Sequence, residues 1–98
     1  MFIPCDEAKR LIKDKKAQLV DVRTPEEFAM SKLPGAVNIP LQDIDRVGES
    51  MLNADLPVIV FCRSGQRSQM AMQILQSQNF SEVYNLGSFM SWHQCPDL

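Results

Sequence analysis

The run Val58-Ile59-Val60-Phe61 contains no polar residue. A segment so short and so apolar has to be covered on both faces, which is the condition of a central strand in a parallel sheet flanked by helices. Three further apolar runs, Gln18–Val22, Ala36–Ile39 and Glu82–Leu86, read as strands beside it. The segments between them carry helical spacing. Asp6–Lys15 sets Ala8, Leu11 and Ile12 on one side and its lysines on the other. Leu41–Leu52 repeats Leu41, Ile44, Val47 and Met51, and Gln66–Gln78 repeats Met70, Ala71, Ile74 and Leu75 opposite its glutamines. Pro25, Pro34-Gly35, Pro40 and Pro57 fall between these segments, where turns belong. Strands alternating with helices predict βαβ crossovers. The fold expected is α/β: one domain over residues 1–98, with a central, mostly parallel sheet of four to five strands and helices on both faces.

A net charge of −2 supplies no general attraction for nucleic acid or an anionic membrane, so neither is an expected partner. No apolar stretch has the length of a membrane span, and Met-Phe-Ile-Pro-Cys-Asp-Glu-Ala at the N-terminus lacks a secretory pattern. The cysteines, at 5, 62 and 95, are odd in number and without paired spacing, resembling neither a disulfide framework nor a metal site. The expectation is a cytoplasmic protein with a thiol available for chemistry and no metal; an exported form whose signal has been removed is compatible with the same start. A bound anion would have to be held by a local set of donors.

In open α/β sheets, ligands bind beyond the ends of the strands. Of the turns after Val22, Ile39, Phe61 and Leu86, the third carries the chemistry: Cys62-Arg63-Ser64-Gly65-Gln66-Arg67-Ser68, leading into a helix. Such a loop can turn its backbone N–H groups inward, and the helix N-terminus adds unpaired donors and partial positive charge. Gly65 permits backbone angles that a side chain resists. Ser64 and Ser68 add hydroxyls, while Arg63 and Arg67 add full charge. A free thiol has a pKa of about 8.5, and such surroundings commonly bring it to about 7 or below. A fall of roughly 1.5 is worth about 2 kcal/mol and would leave about half the sulfur as nucleophilic thiolate at neutral pH. The bland alternative, a small buried packing residue, has no use for a ring of donors.

The chain resembles the rhodanese family of sulfurtransferases along almost its whole length. The loop Cys62–Ser68 is similar to the catalytic loop of bacterial single-domain members. Leu19-Val20-Asp21-Val22-Arg23-Thr24-Pro25-Glu26-Glu27-Phe28 resembles the first signature of the family, and Leu33-Pro34-Gly35-Ala36-Val37-Asn38-Ile39-Pro40 its second. Val83-Tyr84-Asn85-Leu86-Gly87-Ser88 with Trp92 resembles the C-terminal block. The chain departs from the pattern at Ser31-Lys32-Leu33, where Gly-His is frequent, and at Ser88, where a second glycine is usual.

The resemblance implies a double displacement without metal or organic cofactor. Cys62 would take the outer sulfur of thiosulfate or a similar donor, release sulfite, and hold a persulfide. Cyanide, a small thiol or a protein thiol would then accept it. Arg63 and Arg67 would neutralise the incoming anion, and the loop amides of Ser64, Gly65, Gln66 and Ser68 would stabilise the persulfide. Four residues separate Cys62 from Arg67, whereas phosphatases of related fold use a loop one residue longer that accommodates phosphate. A phosphatase or arsenate-reductase-like enzyme is the alternative chemistry, and a non-catalytic interaction module the alternative role. A monomer is expected.

Asp21 and Arg23, at the end of a strand near the expected mouth of the site, read as a supporting ion-pair network, for example Arg23 with Glu27, the other reading being direct participation in substrate binding. Trp92 reads as a packing anchor, His93 as a surface or packing residue, and the methionines as core filler. Lys9, Arg10 and Lys13–Lys16 read as a solvated helix face. Cys5 reads as structural and Cys95 as a tail thiol, the other reading of Cys95 being a resolving thiol for Cys62.

Overall fold

The computed structural model describes residues 2–97. In chain order it contains α1 (Cys5–Lys15), β1 (Gln18–Asp21), α2 (Pro25–Met30), β2 (Val37–Asn38), α3 (Leu41–Met51), β3 (Val58–Cys62), α4 (Gln66–Ser77), β4 (Val83–Ser88) and a 3-10 turn over Phe89–Gln94. The four strands form one all-parallel sheet in the order β2-β1-β3-β4. Every residue of β3 is buried, as its sequence requires of a central strand. Ile3 N–H donates to the Asn85 carbonyl at 2.8 Å, so the N-terminal segment reaches the β4 edge without forming a fifth strand.

The alternation of side chains along the strands builds two apolar layers. Val20, Val22, Val58, Val60 and Cys62 pack with Ile44 of α3 and Ala71 and Leu75 of α4. On the opposite face Leu19, Ile59, Phe61 and Leu86 pack with Ala8 of α1 and with Trp92, confirming Trp92 as an anchor. Helices therefore cover both faces of the sheet.

Some sequence expectations need correction. Pro25 was expected in a turn, yet it occupies the first position of α2. Thr24 Oγ1 accepts from Glu27 N–H at 3.2 Å, and a Glu27 carboxylate oxygen accepts from Thr24 N–H at 3.1 Å. This reciprocal box, with proline where a helix has an unused donor anyway, starts the helix. Met70 faces solvent, because the inward stripe of α4 runs through Ser68, Ala71 and Leu75. Met30, Met51 and Met90 are likewise exposed, so these four methionines are surface residues and not core filler.

Lys9 is buried rather than solvated. Its ammonium donates to the carbonyls of Trp92 at 2.7 Å and Cys95 at 2.9 Å, pairs with Asp97 at 3.1 Å, and lies 4.6 Å from the Trp92 ring centre. Cys5 and Cys95 form a disulfide, with Cα atoms 6.1 Å apart, so Cys95 is not a tail thiol. The two cysteines are separated by 90 positions but meet because α1 and the C-terminal turn dock on the same face of the sheet. Spacing along the chain does not display that proximity.

Candidate active site

β3 ends on Cys62, and the chain then turns through Gly65 into the first turn of α4. Gly65 has φ +104°, a left-handed conformation that disfavours side chains. A Cβ there would also lie 2.5 Å from the Phe2 ring, which packs across Gly65 and Gly87. The turn aims Gly65 N–H at the Cys62 sulfur, 2.9 Å away. Ser68 Oγ lies 3.5 Å from the same sulfur. Burial pushes the Cys62 thiol up, but hydrogen bonds from the Ser68 hydroxyl and from the N–H groups of Ser68, Gly65 and Ser64 outweigh it and hold the thiol below its ordinary value. The cradle is thus made of amides and one hydroxyl. Cys62 itself is 0% exposed.

The arginines expected around the sulfur divide into two situations. Arg63 is exposed on the loop, beside exposed Ser64 and Gln66. Arg67 donates through two nitrogens to the two carboxylate oxygens of Glu27, at 2.7 and 3.1 Å. This bidentate bond, with the capping bond to Thr24 N–H, lowers the Glu27 pKa to about 2.

Glu27 was expected to pair with Arg23, and the structure corrects this: Arg23 binds Asp21. Arg23 Nε donates to the Asp21 carboxylate at 3.0 and 3.1 Å, NH2 at 2.8 Å and the backbone N–H at 2.9 Å. Both residues are buried, and the guanidinium also donates to the Ser31 carbonyl and lies over the Phe89 ring. The short arc from Asp21 to Arg23 closes on itself, leaving Glu27 to reach across to α4. The Asp21–Arg23 pair therefore braces the loop after β1.

Asn85 was not singled out from the sequence, yet it is 2% exposed and bonded to the cysteine loop. Its signal was a polar residue at an inward position of Val83-Tyr84-Asn85-Leu86, where strands seldom place asparagine. At the two departures from the family pattern, Lys32 lies over the Phe28 ring, and Ser88 has φ −85° and accepts from Met90 N–H through its hydroxyl. Gly87 alone carries the positive φ, of 88°, so position 88 has no need of a second glycine. Among the described residues no cluster of His, Cys, Asp and Glu could hold a metal. Among them too, no helix is long and apolar enough to cross a membrane.

A buried cysteine at the end of a central parallel strand, bonded by amides of a helix-opening loop, is an arrangement suited to thiol-based group transfer. The chain belongs to the family described as rhodanese-like domain, whose model matches residues 4–95. A thiosulfate sulfurtransferase named GlpE from Vibrio cholerae is 35% identical over 95 residues, covering 96% of this chain and 89% of that protein. A protein named YqhL from Bacillus subtilis is 40% identical over 79 residues, and the match spans 80% of this chain and 62% of that longer protein. Among solved structures, a rhodanese-like domain protein from Staphylococcus aureus superposes with a TM-score of 0.78 at 32% identity, over 99% of this chain and 93% of that one. Sulfur transfer is the chemistry that the family and these relatives support.

Proposed function

We propose that the chain is a sulfurtransferase in which Cys62 carries the sulfur as a persulfide, taken from thiosulfate or a similar sulfane-sulfur donor. The observation that carries this reading is the 2.9 Å bond from Gly65 N–H to the Cys62 sulfur, at the open end of a helix. The thiolate attacks the outer sulfur of thiosulfate, the S–S bond of the donor breaks, and its electron pair leaves with sulfite. The new Cys62 persulfide keeps one negative charge, which the loop amides and the Ser68 hydroxyl are placed to stabilise. A thiophilic acceptor (cyanide in an assay, a small or protein thiol in a cell) then takes the terminal sulfur and restores the thiolate. The reading calls on no general base or metal, because it is the thiolate form of Cys62, favoured by the hydrogen bonds around the sulfur, that attacks.

Cys62 has no exposed surface, so part of what covers the sulfur must move aside before the donor arrives. Arg63, exposed beside that point, is the guanidinium we assign to meeting the anion. Arg67 is committed to Glu27 and supports the loop instead. A cytoplasmic setting suits thiol acceptors and implies that the Cys5–Cys95 pair stands reduced there at rest.

The test is the intact mass after incubation with thiosulfate and removal of excess donor. One added sulfur atom is expected, lost on addition of cyanide with formation of thiocyanate and absent from Cys62→Ser. An adduct that survives that substitution overturns the assignment of Cys62. Cys62-dependent hydrolysis of an aryl phosphate in place of the sulfur adduct would select the phosphatase reading.

A further inference from the structure

The side chain of Asn85 is held by four hydrogen bonds, and its partners lie in the Cys62 loop, in the first turn of α4 and in β4 itself. Oδ1 accepts from Ser68 Oγ at 2.6 Å and from Gly87 N–H at 2.8 Å. Nδ2 donates to the Gly65 carbonyl at 3.2 Å and to Gln69 Oε1 at 3.3 Å. The Gly87 N–H can only donate and the Gly65 carbonyl can only accept, so the orientation of the amide is fixed by its neighbours. It follows that the Ser68 hydroxyl, facing an amide oxygen, must be the donor in that bond.

A serine hydroxyl has a single proton. Ser68 is 0% exposed, and its oxygen faces two acceptors, Asn85 Oδ1 at 2.6 Å and the Cys62 sulfur at 3.5 Å. While Cys62 is a thiol, a chain of donation satisfies every group: S–H to Ser68, and Ser68 O–H to Asn85. Once Cys62 is a thiolate, Ser68 can donate to it only by leaving Asn85, whose oxygen then keeps Gly87 N–H alone. The stabilisation that Ser68 lends the sulfur is therefore a difference between two hydrogen bonds.

We propose that Asn85 is a positioning residue that tunes the Cys62 nucleophile by competing with the sulfur for the Ser68 hydroxyl proton. The proposal rests on the reading of Cys62 as the sulfur carrier, and it concerns how available that nucleophile is before any donor arrives. The charged groups around the sulfur leave this competition intact. Arg67 on α4 is paired with Glu27 on α2, Arg23 is paired with Asp21 at the end of β1, and Arg63 is exposed on the loop. From α3 come Leu41, Ile44 and Val47, members of or packed against the apolar cluster that holds Cys62.

The experiment has two arms. The first follows the Cγ carbon of Asn85 by NMR in the intact protein while Cys62 is titrated. Its resonance is expected to move with the same midpoint as Cys62 alkylation, and to stop moving in Ser68→Ala. A resonance that does not titrate, or that titrates equally in Ser68→Ala, overturns the proposal. The second measures the pH profile of Cys62 alkylation, without any sulfur donor, in a cycle of Ser68→Ala and Asn85→Leu. With the competitor gone, Asn85→Leu should react about threefold to tenfold faster at neutral pH, the range that one hydrogen bond supplies. Removing Ser68 from that background should cost more reactivity than removing it from the natural chain. A purely structural Asn85 would give equal effects of Ser68→Ala in both backgrounds, which also overturns the proposal. If Asn85→Leu does not fold, the first arm still decides the matter. Failure of the sulfur-transfer reading would appear separately, as a normal titration without a persulfide.

Discussion

Arg67 and Glu27 face each other fork to fork, 2.7 and 3.1 Å apart across their two hydrogen bonds, and so tie the first turn of α4 to the first turn of α2. The loop carrying Cys62 opens one of these helices, and the loop after β1 opens the other. The pair therefore links the two helices that start beyond the paired ends of β1 and β3.

The first prediction concerns the charge of Glu27. Its folded pKa of about 2 lies below its ordinary value of 4.5. A depressed carboxylate contributes stability that is fully present above about pH 5 and is lost as pH falls toward 2. Glutamine can keep the capping bond to Thr24 while losing the charge. Glu27→Gln should therefore cost about 1 kcal/mol or less near neutrality, because both partners are partly exposed. In paired urea unfolding curves the cost should disappear toward pH 2. A difference that persists at that pH would mean that the pair is not its source.

A second prediction separates the two arginines of the loop. Arg63 is exposed and makes no ion pair among the described residues, so its charge is available to an anionic donor. Arg63→Ala should raise KM for thiosulfate about fivefold at low salt, as expected for losing about 1 kcal/mol of charge attraction. The effect should shrink as ionic strength rises. Stability should be nearly unchanged, whereas Arg67→Ala should lower the melting temperature by releasing Glu27. Steady-state rates across a salt series, with melting curves for both variants, make the distinction. Equal KM values for Arg63→Ala and the natural chain at low salt would remove Arg63 from donor capture.

The unequal legibility of these features follows from their range along the chain. The central strand, the cysteine at its end and the positive φ at Gly65 are dictated by adjacent residues, and the sequence displays them directly. Helix α2 is also displayed, in Thr24-Pro25-Glu26-Glu27, although its proline suits a turn as well as a first helical position. Partner choice was not displayed. Arg23 could equally have reached Asp21 or Glu27, and only the parallel pairing of β1 with β3 sets the starts of α2 and α4 side by side and brings Arg67 to Glu27. Lys9 looks like its solvated neighbours until the C-terminal turn lays two carbonyls over its ammonium. Asn85 lay within a matched block, yet its bonds run to residues 16 to 20 positions away as well as to Gly87.

The buried pair Asp21–Arg23 gives the third prediction. Arg23→Met should destabilise by about 3–5 kcal/mol, because Asp21 is left charged, buried and short of donors. Replacing both residues, as Asp21→Leu with Arg23→Met, removes the stranded charge and should cost much less than the sum of the single changes. Denaturant unfolding of the two single variants and the double variant measures the coupling. Additive costs would show that the residues act independently and do not form a brace.

The last prediction concerns the bridge between the ends of the domain. Cys5 and Cys95 close a loop spanning 90 positions, and cross-links of this kind stabilise mainly by restricting the unfolded chain. The folded chain has another hold on the same contact, since Lys9 binds the carbonyls of Trp92 and Cys95 whether or not the sulfurs are joined. Reduction should therefore leave the docked turn in place and act through the unfolded state, costing about 2–4 kcal/mol. For a domain of this size each kcal/mol moves the melting temperature by about 4–8 °C. Thermal unfolding of the natural chain should fall on addition of a phosphine reductant, and Cys95→Ser should melt at that lower temperature regardless of reductant. The alkylation profile of Cys62 should be the same in both proteins, because the bridge lies on the α1 face and Cys62 on the α3–α4 face. A melting temperature indifferent to reductant would show that the bridge does not form in solution; a changed Cys62 profile would mean that the two faces communicate through the sheet.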